Sequence, residues 1–169
     1  FQACAKVFNS ADQSVSWVAP SGFLVDQYKQ KDRSTVIATT MGKKRVRYSR
    51  QDATNKLDTA KQRSSISPNI VHSLDAAHMC HTVLAAKDAG IESLVAVHDS
   101  FGCHAGDMAA LYRITREEFV KMYQQDILGE LHQQFASQLP EEFVAKLPSP
   151  PKKGDLNIKR VKDSEFFFS

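Results

Sequence analysis

The segment SLVAVHDSFG, residues 93 to 102, decides how this chain is read. An apolar run from Leu94 to Val97 stops abruptly on His98-Asp99 and is followed by Ser100-Phe101-Gly102. An uninterrupted aliphatic run bounded by turn formers predicts a buried strand over 92 to 97, ending in a turn through Ser100, Phe101 and Gly102. A carboxylate at a strand end has its Cα fixed while its oxygens stay free. That placement suits magnesium, which takes carboxylate and phosphate oxygens together. Phosphoryl transfer with two metals needs at least two carboxylates held close, and only Asp99 is evident here. The same residues also fit an Asx-turn, in which Asp99 caps the turn with its own side chain and His98 is a surface ring. Spacing alone leaves both open.

Before this strand, Ser67-Pro68 reads as a cap with proline at the first helical position, opening a helix over 67 to 90 that Gly90 closes. Ile70, Leu74, Ala77, His81, Leu84 and Ala85 follow helical spacing and are expected to face the core, with His72, Asp75 and Met79 on another face. His72 with Asp75 one turn later is either an oriented, hydrogen-bonded imidazole or ordinary surface chemistry. His72, His78, Cys80 and His81 are residue types that bind zinc, but Cys80 points away from the face that His78 and His81 share. No second ligand pair follows at a zinc-site spacing. After the strand, one helix is expected from Gly106-Asp107 to about 125 and another over 127 to 139, ahead of Pro140. LPSPPKKG, residues 147 to 154, is a loop, and DLNIKRVKDSEFFFS, residues 155 to 169, ends in three phenylalanines and a serine.

The first third of the chain carries the charge. Residues 1 to 8 read as the tail of an amphipathic helix, and WVAPSGFLVDQY, 17 to 28, as two short strands about Pro20-Ser21-Gly22. A hairpin follows, with 34 to 40 meeting 44 to 49 across Met41-Gly42-Lys43, where Gly42 supplies a positive φ. Strand alternation puts Arg45, Arg47 and Ser49 on one face and Lys44, Val46 and Tyr48 on the other. Lys29, Lys31, Arg33, Lys43, Lys44, Arg45, Arg47 and Arg50 face a single acid, Asp32, in this stretch. A charged edge hairpin can serve only to resist aggregation. A ribbon with arginines on one face also fits the DNA major groove, and the density of charge favours that contact. Membrane-surface binding is disfavoured because the basic segment is β-patterned.

With 169 residues, 42% hydrophobic and 24% charged, the chain can bury the core of one domain, which excludes a disordered tail. The net charge of +3 is compatible with nucleic acid or nucleotide partners without demanding them. Cys4, Cys80 and Cys103 are odd in number and lack a CxxC pairing, so reduced thiols in a cytoplasm-like compartment are expected. No apolar run approaches the roughly 18 residues that span a bilayer. The chain starts at Phe1, inside a helical pattern and without an initiator methionine, so an upstream portion is expected.

The order of these features resembles a known family. KQRSSISPNIVHSLDAAHM (61 to 79), VHDSFGCHAGD (97 to 107) and REEFVKMY (116 to 123), preceded by WVAPSGF (17 to 23), resemble the single-subunit DNA-directed RNA polymerases of bacteriophages and mitochondria. PNxxHSxDxxH and HDSF at this separation carry the resemblance, which covers nearly the whole chain. The phage branch is the closer, since Phe101-Gly102 stands where organellar relatives have an aromatic pair.

The resemblance implies an α+β fold, the C-terminal part of a right-hand polymerase palm with a β-hairpin specificity loop (33 to 50) and flanking helices. It implies that Asp99 is one of two aspartates holding two catalytic Mg2+ ions, that His98 sits against the 3′ end of the RNA, and that His72 lies by the new base pair and the nucleotide sugar. Asp75 would orient His72. Lys43, Lys44, Arg45 and Arg47 would contact promoter DNA, the element carrying over and the individual base contacts not. Residues 155 to 169 would form a C-terminal foot that brings Phe168 and Ser169 to the nucleotide, although three successive phenylalanines depart from the alternating pattern of phage relatives. Partners implied are promoter and template DNA, nascent RNA, ribonucleoside triphosphates and the N-terminal part of the same polymerase, acting as a monomer. The setting is the cytoplasm of a phage-infected bacterium, or alternatively a mitochondrial matrix. The second metal aspartate and the triphosphate-binding helix belong upstream in this family, so the 169 residues alone are expected to be inactive. Two other classes stay open: a non-catalytic DNA-binding module and a metal-dependent phosphohydrolase.

Overall fold

Helix α1 (Gln2–Ser10) buries Cys4, Ala5, Val7 and Phe8, the apolar stripe that helical periodicity requires. Strands β1 (Val15–Val18) and β2 (Leu24–Gln27) pair antiparallel from Val15↔Gln27 to Val18↔Leu24, around the expected Pro20-Ser21-Gly22 turn. Trp17 is 1% exposed, and its indole N–H donates to Ser73 Oγ at 2.9 Å, giving the buried ring the acceptor it needs. The computed structural model describes residues 1–167, so Phe168 and Ser169 lie outside the described residues.

Strands β3 (Gln30–Met41) and β4 (Lys44–Leu57) form an antiparallel hairpin closed by Gly42-Lys43, with Gly42 at φ +64°. The hairpin is longer than the expected 33 to 50. The stretch NKLDTAKQRSS, 55 to 65, reads only as polar, yet it supplies the end of β4 and the start of the next helix, because a ribbon exposed on both faces is held by its backbone ladder and needs no apolar alternation. At roughly 3.4 Å per residue, β3 makes an arm about 40 Å long.

Helix α2 (Thr59–Asp88) corrects the expected start at Ser67-Pro68. Asp58 is the true N-cap, its side chain accepting from the Lys61 N–H at 2.9 Å, and Pro68 lies inside the helix. An internal proline costs the helix one backbone hydrogen bond and crowds the carbonyl four residues back. Both Pro68 and Ser64 are exposed, so water can satisfy that carbonyl, while Gln62, Ile66 and Ile70 anchor the flanking turns in the core. The buried line runs Gln62, Ile66, Ile70, Ala77, His78, Thr82 and Ala86. Leu84 is therefore exposed at 59% and His81 only half-buried, contrary to expectation, because polar His78 and Thr82 take the inward positions in the second half of the helix. Gly90, at φ +85°, ends it as expected.

Strands β5 (Leu94–Val97) and β6 (Ser100–Cys103) pair antiparallel, with Val97↔Ser100 enclosing His98-Asp99. Ser100, Phe101 and Gly102 are therefore the return strand and not the turn. Nor is β5 fully buried: Leu94 and Ala96 are half-buried, whereas Val95 and Val97 are 65% and 59% exposed. Periodicity cannot tell a strand buried on both faces from an apolar strand in a sheet covered on one face. A 3-10 turn (Ala105–Asp107) leads into α3 (Met108–Tyr123), followed by α4 (Ile127–Gln138), the short α5 (Glu141–Val144) and a second 3-10 segment (Ile158–Asp163). One apolar cluster joins α1, β1, α2 and α4 around Phe8, Trp17, Ile66 and Phe135; another joins Ala86 and Ile91 to Leu111 and Ile114 of α3, with Phe101 against it. The fold is α+β.

Trp17→Ala is expected to lower the unfolding free energy of this chain by about 3–5 kcal/mol, the cost of an emptied aromatic site. Trp17→Phe keeps most of the packing and loses the bond to Ser73, so about 1 kcal/mol is expected beyond the lost volume. Urea titrations followed by circular dichroism read both, and equal losses would mean that the ring's bulk matters little.

Candidate functional site

The β5–β6 hairpin presents Asp99 on a two-residue turn whose first residue, His98, has φ +54°. A left-handed conformation is uncommon for a residue with a side chain, though histidine, asparagine and aspartate tolerate it best. Asp99 is exposed, and no hydrogen bond or ion pair to its carboxylate occurs among the described residues. An Asx-turn would use that carboxylate internally, so the turn is not held in that way. Asp99 and Ser100 line a cavity of about 220 Å³ together with Met108, Tyr112, Arg116 and Phe167.

Beneath the hairpin, the half-buried Phe101 meets the His78 ring edge-on, centroids 6.1 Å apart. His78 is 2% exposed, and its Nε2 donates to the Thr115 carbonyl at 2.9 Å, which ties α2 to α3. Burial pushes the imidazole pKa below 6.5; the Thr115 bond and the charges of Asp75 and Glu118 oppose that shift, and His81 adds to it. Phe119 packs edge-on to His78 at 5.5 Å and to Phe167 at 5.1 Å, so aromatic contacts run from α2 to the carboxyl-terminal segment. Sequence reasoning missed both His78 and Arg116 as supports. Their only signals were the last histidine of PNxxHSxDxxH and the first residue of REEFVKMY.

His72 lies exposed on α2 and lines a different hollow, about 430 Å³, with Phe23, Val25, Asn69, Ala76 and Cys80. Asp99 and His72 thus open onto separate hollows of this chain. Among the described residues no hydrogen bond or ion pair joins Asp75 to His72; the charge of Asp75 acts on His78 and Tyr123 instead. His78 is buried, Cys80 exposed and His81 half-buried, and no group of three potential metal ligands occurs among the described residues, so the histidine cluster forms no zinc site there. The same holds for magnesium. Asp99 is a chemically suitable oxygen ligand, but the described residues do not complete a site around it.

On the arm, Arg45 and Arg47 pair with Thr40 and Ala38, and Lys44, Val46 and Tyr48 with Met41, Thr39 and Ile37. Opposed residues of an antiparallel pair share a face. One face is therefore basic over small residues, and the other carries Ile37 and Tyr48 at 48% and 52% exposure. Lys43, Lys44, Arg45 and Arg47 are all exposed. Lys61 pins the base of the arm to α2 by ion pairs to Asp32 at 3.2 Å and Asp58 at 3.9 Å. No helix among the described residues is long and apolar enough to cross a membrane.

The family model for DNA-dependent RNA polymerase matches residues 2–146. T7 RNA polymerase of Escherichia phage T7 is 38% identical over 160 residues, covering 92% of this chain and 18% of its own length. The chloroplastic DNA-directed RNA polymerase 3 of Nicotiana sylvestris is 39% identical over 166 residues, covering 98% and 16%. The mitochondrial DNA-directed RNA polymerase 1 of Arabidopsis thaliana is 35% identical over 169 residues, covering 100% and 16%. The chain belongs to the single-subunit, phage-type DNA-dependent RNA polymerase family. It spans less than a fifth of the length of the curated relatives it matches. Phage and organellar relatives match at nearly equal identity, so overall identity does not separate the two branches.

The depressed His78 pKa has a stability consequence. Its neutral form is favoured in the folded chain, so this contribution is fully present above the unfolded value of 6.5 and is lost as pH falls through the lower folded value. His78→Gln, which keeps an N–H for Thr115 but cannot titrate there, is expected to flatten the decline of Tm below pH 6.5. Thermal melts across pH would read this; an unchanged slope would assign the acid sensitivity to other groups.

Proposed function

We propose that this chain is the C-terminal palm portion of a DNA-directed RNA polymerase that joins ribonucleoside triphosphates on a DNA template. One observation carries the proposal: in a member of this family, a hairpin turn sets His98 in a left-handed conformation and leaves the Asp99 carboxylate exposed and unspent. Strain of that kind costs roughly 1–3 kcal/mol and persists where the surroundings hold it, often at functional sites. In this reading Asp99 is one metal carboxylate, and the other comes from outside these residues. Two Mg2+ ions, when bound, would supply charge stabilisation for phosphoryl transfer. His98 lies against the RNA 3′ end and His72 against the nucleotide sugar; Asp75, which makes no bond to His72 among the described residues, carries no orienting role in this reading. Phe168 and Ser169 contribute nucleotide contacts. The 169 residues alone are inactive, because one carboxylate does not make a two-metal site.

The arm from 30 to 57 is the promoter-reading element. Its basic face and its length support entry into a major groove, with Lys43, Lys44, Arg45 and Arg47 at the tip. A non-catalytic DNA-binding module would use the arm alone, and a phosphohydrolase would use His72 without a template.

Primer extension by the full-length polymerase on a DNA template tests the proposal. Ribonucleotide-selective extension is expected, and Asp99→Asn should abolish it without lowering Tm, since the carboxylate supports no packing. Extension that survives the substitution would remove Asp99 from the chemistry. Replacing Arg45 and Arg47 by alanine is expected to weaken promoter-dependent initiation more than extension of a preformed primer, with a shallower salt dependence of DNA binding. Equal losses in both assays would make the arm a general phosphate contact.

A further inference from the structure

The cavity that carries Asp99 is also lined by Arg116, a guanidinium in an unusual setting. Arg116 is 3% exposed and has no carboxylate partner among the described residues, although a buried cation normally demands one. Two aromatic rings and two carbonyls surround it instead. Its guanidinium carbon lies 3.3 Å from the Tyr112 ring centroid and 5.0 Å from that of Phe167. One terminal nitrogen donates to the Tyr112 carbonyl at 3.3 Å, and the other donates to the Ser164 carbonyl at 3.1 Å. The Tyr112 hydroxyl donates to the same Ser164 carbonyl at 3.3 Å. Arg116 thus grips the carboxyl-terminal segment twice, at Ser164 through a hydrogen bond and at Phe167 through its ring, from a helix that borders the Asp99 hairpin.

Building on the polymerase reading, we propose that Arg116 is a positioning residue for nucleotide addition: it clamps residues 164–167 onto α3, so that Phe167 forms a wall of the cavity holding Asp99. The chemistry requires arginine. A planar guanidinium can stack between two rings while its nitrogens reach two carbonyls, whereas a lysine ammonium is a hydrated point charge without that shape. Phe167 gains a second hold from Phe119, which itself rests on His78. The carboxyl-terminal wall, the hairpin support and α2 are therefore linked through one aromatic series. Arg116 Nε is buried without an acceptor among the described residues, so the side chain is oriented by its stacking and its terminal nitrogens at the expense of one donor.

The test uses the full-length polymerase with Arg116→Gln, Arg116→Lys, Phe167→Ala, a deletion of residues 166–169, and Arg116→Gln combined with that deletion. Arg116→Gln and the deletion are each expected to lower kcat/KM for ribonucleotide addition by roughly ten- to a hundredfold, the scale of a small misplacement near reacting groups. The combined variant should lose no more than the deletion alone, because both act through one segment. Lysine should not rescue, and Phe167→Ala should reproduce the loss with Arg116 intact. Carboxypeptidase should release terminal residues faster from Arg116→Gln than from the parent at equal Tm. Multiplicative losses in the combined variant, full rescue by lysine, or unchanged carboxypeptidase release would overturn the clamp while leaving the polymerase reading standing. Absence of ribonucleotide addition by the parent chain would overturn both.

Discussion

The hydrogen bond from His78 to the Thr115 carbonyl fastens the two longest helices to one another inside the core. Along α2 the buried residues turn polar at His78 and Thr82, and along α3 they include Thr115 and Arg116. The apolar contact between the two helices lies further along, at Ala86, Leu111 and Ile114. A buried imidazole that finds an acceptor fixes the spacing of α2 and α3, and its ring supports Phe101 beneath the Asp99 turn. The position of the only carboxylate in that turn therefore depends on a buried histidine beneath it.

A second constraint holds the amino-terminal half. Gln62 is fully buried, and its side-chain amide donates to Asn9 Oδ1 and the Gln13 carbonyl, while its backbone carbonyl accepts from the Gln27 side chain, which accepts in turn from Asn69. This polar group joins α1, β2 and the first turns of α2. It fixes the place where the chain leaves the body for the arm, and the backbone bond from Asp58 to the Lys29 carbonyl closes the base. The arm itself touches little else, so its aim is set at its root. A projecting ribbon suits a surface that must reach a partner, as the proposed promoter contact requires.

The chain's exposed features share one direction of explanation. Val95 and Val97 stand open in a two-stranded sheet, Asp99 carries an unspent carboxylate, and His72 faces a separate hollow. The chain spans under a fifth of the length of its relatives, and these features lie on its surface, open to contact.

Local chemistry by itself determined the elements whose causes are local. Gly42 and Gly90 set a turn and a helix end, Pro20-Ser21-Gly22 joined two strands, and the motifs around His72 and Asp99 fixed the family. Tertiary structure decided what depends on partners distant in sequence. Pro68 stays inside a helix because residues on both sides are anchored in a core that the sequence does not display. His78 and Thr82 turn inward because Thr115 and its helix meet them, and strand β5 is half-exposed because its sheet has two strands. Arg116 could not be distinguished from any other helix-surface arginine until Tyr112, Ser164 and Phe167 closed around it, since the energy of a stacked guanidinium lies in its neighbours and not in its own spacing.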